Sequence, residues 1–314
     1  MVVRLKDLTT KDTPMTRGHR MCPGCGAPTA VKQGLMAVDK PLVVTCATGC
    51  LEVSTTIYPF NAWNVPFLHS AFENAGANVS GIEAAYVALR KRGKIKEDIK
   101  FVAFGGDGGT YDIGLQALSG AAERGHDFTY ICYNNQGYMN TGAQRSSATP
   151  HGASSTTAPA GKKIPGKIQR PKDLTDIMAA HHIPYVAQTT LHNPQDVIEK
   201  VKKAVETPGP SFVNILVPCV LFWRIDPAMQ KEICRLAADT RIWPIYEVEN
   251  GKWKLSYKPR KFVPVEEYIK PQGRFRHLFK GDQWKPVVEK LQEEVEEKWS
   301  YVLERCNETW EPKE

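Results

Sequence analysis

The sequence predicts an α/β fold: a parallel sheet with helices on both faces, followed by a C-terminal extension. Three observations predict it. Short apolar runs that read as buried strands recur along the chain, at Leu42–Ala47, Phe101–Phe104, Thr129–Tyr133 and Ser211–Val217. Segments with helical character separate them. Each run ends in a polar or glycine-rich loop, at Thr48–Leu51, Gly105–Gly109, Asn134–Gly137 and Pro218–Cys219. Right-handed crossovers between parallel strands bring those loops to one edge of the sheet, where such folds bind ligands.

The elements follow in order. Residues 1–20 are polar and read as an extended arm. Cys22-Pro23-Gly24-Cys25-Gly26 makes a tight knuckle, and Thr29 is placed as the N-cap of a helix to Val38. The first strand, Leu42–Ala47, leads into Cys50, and residues 53–72 look irregular. Glu73–Arg92 reads as a helix whose small side, Ala75, Ala77, Gly81, Ala84, Ala85 and Ala88, suits packing on a sheet. The strand from Phe101, a helix over about 112–124 and the strand from Thr129 form one βαβ unit. About 13 helical residues at ~1.5 Å each return the length that six strand residues at ~3.3 Å cover.

Residues 141–170 are rich in Ser, Thr, Ala, Gly and Pro, a composition that suits a linker. Because they leave directly from the ligand edge, they are expected to form a lid or interface loop instead. A helix at Asp173–His182, a strand at Tyr185–Thr189, a helix at Pro194–Glu206, the strand from Ser211 and helical residues 227–239 complete the first unit. Two regions are expected, 1–240 and 241–314. The second is charged and proline-punctuated until an amphipathic helix over 284–305, whose stripe is Val288, Leu291, Val295, Trp299 and Val302. That stripe is expected to pack on a partner subunit.

Composition narrows the classes. The chain has 314 residues, 42% hydrophobic and 24% charged, ordinary values for a soluble globular protein. It has no apolar run long enough for a membrane span and no signal-peptide core, so a cytoplasmic location is expected. The net charge of +7 is scattered, without an aromatic-interleaved basic patch, which argues against nucleic acid and suits anionic substrates or acidic electron carriers.

The βαβ unit carries the chemistry. Asp107 offers a carboxylate and Asn135 an amide oxygen, hard ligands that suit Mg²⁺ bound together with substrate phosphates. Gly106, Gly108 and Gly109 let backbone amides approach a phosphate, with a helix start beside them. Tyr111 stands where a GxGxxG motif needs glycine, and no GxxxxGK[ST] motif exists. A diphosphate with its Mg²⁺ is therefore the expected ligand. Cys22, Cys25, Cys50 and Cys219 are placed at the same edge. Four thiolates suit either zinc or a 4Fe–4S cluster, and spacing alone leaves both open. Cys46, Cys132 and Cys234 read as small core residues, and Cys306 has no partner in sequence.

Gly106-Asp107-Gly108 followed about 26 residues later by Asn134-Asn135 resembles the thiamin diphosphate motif. Joined to Cys22-Pro23-Gly24-Cys25-Gly26, Ala47-Thr48-Gly49-Cys50 and Pro218-Cys219, in that order, it resembles the β subunit of the 2-oxoacid:ferredoxin oxidoreductases over most of residues 17–240. The resemblance implies thiamin diphosphate, with Mg²⁺ on Asp107, Asn135 and the Gly137 carbonyl. It also implies Asn140 and Thr141 beside thiazolium and substrate, and a 4Fe–4S cluster on Cys22, Cys25, Cys50 and Cys219. The implied reaction is oxidative decarboxylation of oxalate, or of a 2-oxo acid such as pyruvate, with electrons passing to ferredoxin. Oxalate-oxidising members are the nearer in overall resemblance. Ala27 departs from the pattern, which often has His or Glu there.

The glutamate that activates thiamin sits on a second α/β domain that this chain has no room for. An α-type partner subunit is expected to supply it with most of the substrate pocket, and a ferredoxin-like subunit or domain to carry electrons onward. Two rival classes are a non-oxidative thiamin enzyme, which has no use for four thiolates, and a zinc-stapled binding subunit without catalysis.

Overall fold

The computed structural model describes residues 4–9 and 11–312. Its centre is an eight-stranded sheet: β1 Leu42–Ala47, β2 Phe67–Ser70, β3 Lys100–Gly106, β4 Thr129–Asn134, β5 Tyr185–Thr190, β6 Ser211–Leu216, β7 Tyr246–Glu249 and β8 Lys252–Leu255. The spatial order is β2-β1-β3-β4-β6-β5-β7-β8. The first six neighbours run parallel, and β7 and β8 close the sheet as an antiparallel hairpin beside β5.

Alternate strand residues feed two cores. Val44, Cys46, Val102, Phe104, Ile131 and Tyr133 face the helices Gly26–Leu35 and Pro194–Glu206, whose Val31 and Val201 meet them. Phe101, Ala103, Tyr130 and Cys132 face the helices Ala75–Lys91 and Leu115–Glu123 through Val79 and Leu118. Both faces are covered, as the parallel strands require. Cys46, Cys132 and Cys234 lie in these cores.

Several expectations are corrected. The helix after the knuckle begins at Gly26, with Cys25 as its N-cap, not at Thr29. The Gly26 amide donates to the Pro218 carbonyl at 3.1 Å, so a tertiary contact starts the helix early. Residues 53–72 contain the edge strand β2 and the end of the helix Cys50–Thr55. Of the small side proposed for the helix Ala75–Lys91, only Ala75 is buried; Ala77, Gly81, Ala84, Ala85 and Ala88 are exposed, and Gly76, Val79, Ser80 and Glu83 turn inward. The helix after Asp107 opens with a wide π-type turn, Gly108–Ile113, before Leu115–Glu123.

Residues after 240 join the same sheet through β7 and β8. The helix Lys285–Cys306 buries Leu291, Val295 and Val302 against the chain's own cores, and its buried Trp299 stands edge-on to Trp310 at 5.7 Å. No helix of the described residues is long and apolar enough to cross a membrane.

Candidate active site

The carboxyl ends of β1, β3, β4 and β6 lie at one edge because these strands are parallel neighbours. A cavity of about 260 Å³ opens there. Gly106, Gly108, Gly109, Asn135, Gly137, Asn140 and Thr141 line it, as do Thr48, Gly49, Cys50, Phe72, Tyr133, Tyr138 and Met139.

Asp107 is fully buried at the end of β3. Its Oδ1 accepts from the Asn135 amide at 3.1 Å and its Oδ2 from Ser146 Oγ at 2.5 Å. Burial pushes its carboxyl up to about 7, with these two hydrogen bonds pulling the other way. The Asn135 side-chain amide reaches Asp107 Oδ1 at 3.0 Å and the Gly137 carbonyl at 2.9 Å. With its nitrogen turned inward it donates to both; with its oxygen inward, three oxygens face one another with no donor between them. Octahedral Mg²⁺ holds oxygens at ~2.0–2.1 Å, which places neighbouring ligands ~2.9 Å apart. The two separations from the Asn135 side chain, to Asp107 and to the Gly137 carbonyl, match that spacing.

The two asparagines of the motif divide the labour. Asn134 is scaffold: its Nδ2 donates to Tyr111 Oη at 2.9 Å and its Oδ1 accepts from the Gln136 amide at 3.0 Å. Asn214 Nδ2 donates to the same Tyr111 oxygen at 2.7 Å, tying β6 to the site. This network holds Gln136 at a φ of 65°, the left-handed conformation that turns Asn135 and Gly137 toward Asp107. Close approach explains Gly108, where a Cβ would lie 2.5 Å from the Tyr138 ring.

Residues 141–170 form a strap fixed across this corner. Besides Ser146, Thr149 Oγ1 donates to the Gln136 carbonyl at 2.6 Å and the Ser147 amide to Asp112 Oδ2 at 3.0 Å. Buried Lys167 donates to the Thr149 carbonyl at 2.6 Å. A linker would make no such bonds. Sequence reasoning missed Ser146 and Thr149, since a Ser/Thr-rich stretch gives no sign of which hydroxyls turn inward.

The four cysteines also gather at this edge. Cys50 opens the helix after β1, Cys219 follows β6, and the Cys22–Cys25 knuckle packs on the Pro218 loop through Gly26. Gly24, at a φ of +74°, allows this; a Cβ there would lie 2.6 Å from Pro227. Burial pushes the Cys25 and Cys50 thiols up to about 12, and Cys25 also feels the charges of Cys219, Cys50 and Cys22, Cys50 those of Cys219 and Cys22, and Cys219 that of Cys22. The Ala27 amide points at the Cys25 sulfur, and the Leu221 and Phe222 amides at that of Cys219. Among the described residues no three Cys, His, Asp or Glu side chains stand close enough to share one metal ion.

The family described as "Thiamine pyrophosphate enzyme, C-terminal TPP binding domain" matches residues 45–215, which hold the whole motif. The pyruvate synthase subunit PorB of Thermotoga maritima is 52% identical to this chain, covering 96% of each. This chain belongs to the β subunits of the 2-oxoacid:ferredoxin oxidoreductases. The ketoisovalerate oxidoreductase subunit VorB of Pyrococcus horikoshii is 44% identical over 90% of each chain. A solved 2-oxoglutarate:ferredoxin oxidoreductase from Magnetococcus marinus shares the fold, with a TM-score of 0.54 at 23% identity, covering 74% of this chain and 80% of that one. Membership makes this β subunit part of an oxidoreductase that acts as a complex.

Proposed function

We propose that this β subunit is the half of a split active site that holds thiamin diphosphate by its diphosphate and Mg²⁺, beside a 4Fe–4S cluster, in a pyruvate-oxidising complex. The observation that carries the reading is the convergence of Asp107, Asn135 and the Gly137 carbonyl at 2.9 and 3.0 Å, next to a cavity that Cys50 also lines.

Asp107, the Asn135 side chain and the Gly137 carbonyl would hold Mg²⁺, leaving its remaining positions for diphosphate and water. Gly106, Gly108 and Gly109 would admit the diphosphate against their backbone amides. Thiamin diphosphate, when bound, supplies a carbon nucleophile and an electron sink for the departing carboxylate. Asn140 and Thr141, at the exposed mouth of the cavity, are placed to face the thiazolium and substrate. Met139 and Tyr138 exclude water from the inner wall. Deprotonated Cys22, Cys25, Cys50 and Cys219 would ligate the cluster. Metal binding displaces the thiol protons that burial otherwise holds on. Amides aimed at Cys25 and Cys219 suit the anionic sulfur of a cluster ligand.

Relatives named for two different acids share more than two-fifths of their residues with this chain. That similarity supports placing acid selection mainly on an α-type partner subunit, which would also supply the activating glutamate. Electrons would leave through a ferredoxin-like subunit or domain to ferredoxin, in the cytoplasm. Overall resemblance favoured oxalate; the 52% identity to a pyruvate synthase subunit moves the proposal to pyruvate, with coenzyme A taking the acetyl group.

The test is ferredoxin reduction by the anaerobic complex, offered pyruvate, a branched 2-oxo acid or oxalate, each with and without coenzyme A. Pyruvate with coenzyme A should be fastest. Fast reduction by oxalate without coenzyme A would reinstate the other substrate, and no reduction with any of them would sink the reading.

A further inference from the structure

The C-terminal region sends one cation to the Gln136 turn beside the site. Arg274 is fully buried. Its loop comes this close because Gly273 has no side chain; a Cβ there would lie 2.6 Å from Arg224 Cβ. Arg274 Nε donates to Gln272 Oε1 at 2.8 Å and Nη2 to Gln136 Oε1 at 2.5 Å, while Nη1 has no partner. The guanidinium lies 4.3 Å from the Trp223 ring centroid and 5.2 Å from that of Phe222. Trp223 in turn donates from Nε1 to the Asn135 carbonyl and from its amide to the Cys219 carbonyl, both at 2.9 Å. Arg274 therefore rests on the residues that carry Asn135 on one side and Cys219 on the other.

Its hydrogen-bond acceptors are neutral amides. A buried guanidinium without an anion is costly, so its charge needs another source of compensation. Burial lowers its pKa to about 10, and the groups that oppose the fall are Tyr268 first, then Cys219 and Asp107. The thiol corner is where negative charge gathers. Four thiolates around a 4Fe–4S core give a net negative unit that gains one more charge on reduction.

We propose that Arg274 is a positioning residue that gives the cluster its fixed counter-charge while holding the Gln136 turn in place. The proposal rests on reading Cys22, Cys25, Cys50 and Cys219 as cluster ligands. A buried cation stacked on Trp223, whose amide holds the Cys219 carbonyl, stabilises the reduced cluster and raises its potential, because net charge and surroundings set potentials in such sites. The residue that does this lies outside the thiamin motif, 138 positions from Gln136.

The test uses the assembled anaerobic complex with wild-type chain, Arg274→Lys, Arg274→Gln and Arg274→Met. Iron content and the midpoint potential of this chain's cluster are read by redox titration followed by electron paramagnetic resonance. A Cys219→Ala complex identifies the component that belongs to this cluster. The expected result is a shift to more negative potential in both neutral variants, with iron retained and Arg274→Lys close to wild type. If both neutral variants lose iron while Arg274→Lys keeps it, charge is again the cause. Unchanged potentials in iron-replete neutral variants overturn the proposal. So does loss of iron in Arg274→Lys as well, which would leave only guanidinium packing. Absence of iron from the wild-type cysteine set would instead defeat the cluster reading itself.

Discussion

The diphosphate corner and the thiol corner share one sheet edge but are built differently. Around Asp107, Ser146, the Asn135 amide, Tyr111, Asn214 and Thr149 form a hydrogen-bonded network in which, among the described residues, the carboxylate takes its hydrogen bonds from neutral donors. Around the cysteines there are aimed amides and close backbone packing but no such network, and Cys22 is exposed. The first corner is preorganised by the chain alone. The second is held by backbone contacts of the knuckle and the Pro218 loop and leaves its thiols without a side-chain network. The difference teaches that the two groups should be lost independently, even though they lie side by side.

The largest effect should come from Asp107→Ala. It removes the carboxylate from the three-oxygen set, and the complex should lose at least ~10³-fold in activity, since metal and oriented diphosphate go together. Equilibrium dialysis should find no bound thiamin diphosphate at concentrations that saturate wild type, with iron content unchanged. Loss of iron in the same variant would break the comparison.

Cys50→Ser comes next and tests the converse. Iron at this site should fall to background, ferredoxin reduction should cease, and thiamin diphosphate should still bind within about tenfold of wild type, since the network around Asp107 does not use the thiol. Gly108→Ala should weaken thiamin binding by roughly tenfold, because a new methyl displaces the Tyr138 ring, and should cost about 1–3 kcal/mol of stability by chemical denaturation. An unaltered affinity would mean that the ring moves aside freely.

The smallest effect concerns the strap. Burial holds Lys167 down at about 8, below its ordinary 10.5. The stability tied to this group is fully present above pH 10.5 and lost as pH falls through about 8. Relative to Lys167→Met, the melting temperature of the wild-type chain should therefore rise between pH 8 and 10. A constant difference across that range would show that the ammonium is not desolvated by the strap.

The same comparison explains what was legible in the sequence. Asp107, Asn135 and the glycines were readable because one βαβ unit fixes their relation within about 30 residues. The strand ends suggested the cysteines as a set, and the Gly26 amide on the Pro218 carbonyl joins the loops that carry Cys25 and Cys219. The helix start at Gly26 escaped because the Pro218 carbonyl, not a local cap, begins it. Small residues on the helix Ala75–Lys91 suggested burial by size, whereas Val79 and Glu83 decide which side turns inward. Nothing near Arg274 in sequence hints at Gln136. Strand β7 was hidden because Tyr246-Glu247-Val248 sits among prolines and charges, and its pairing with β5 is tertiary.

The central claim is that one chain carries a thiamin diphosphate anchor and an iron–sulfur site side by side. Its most direct test is metal and cofactor analysis of the anaerobically purified complex, wild type against Cys219→Ala. The account predicts that the variant lacks about four irons and four sulfides per chain, with no zinc in either protein and equal thiamin diphosphate and Mg²⁺. Zinc in the wild type, or identical iron in the two proteins, would contradict it.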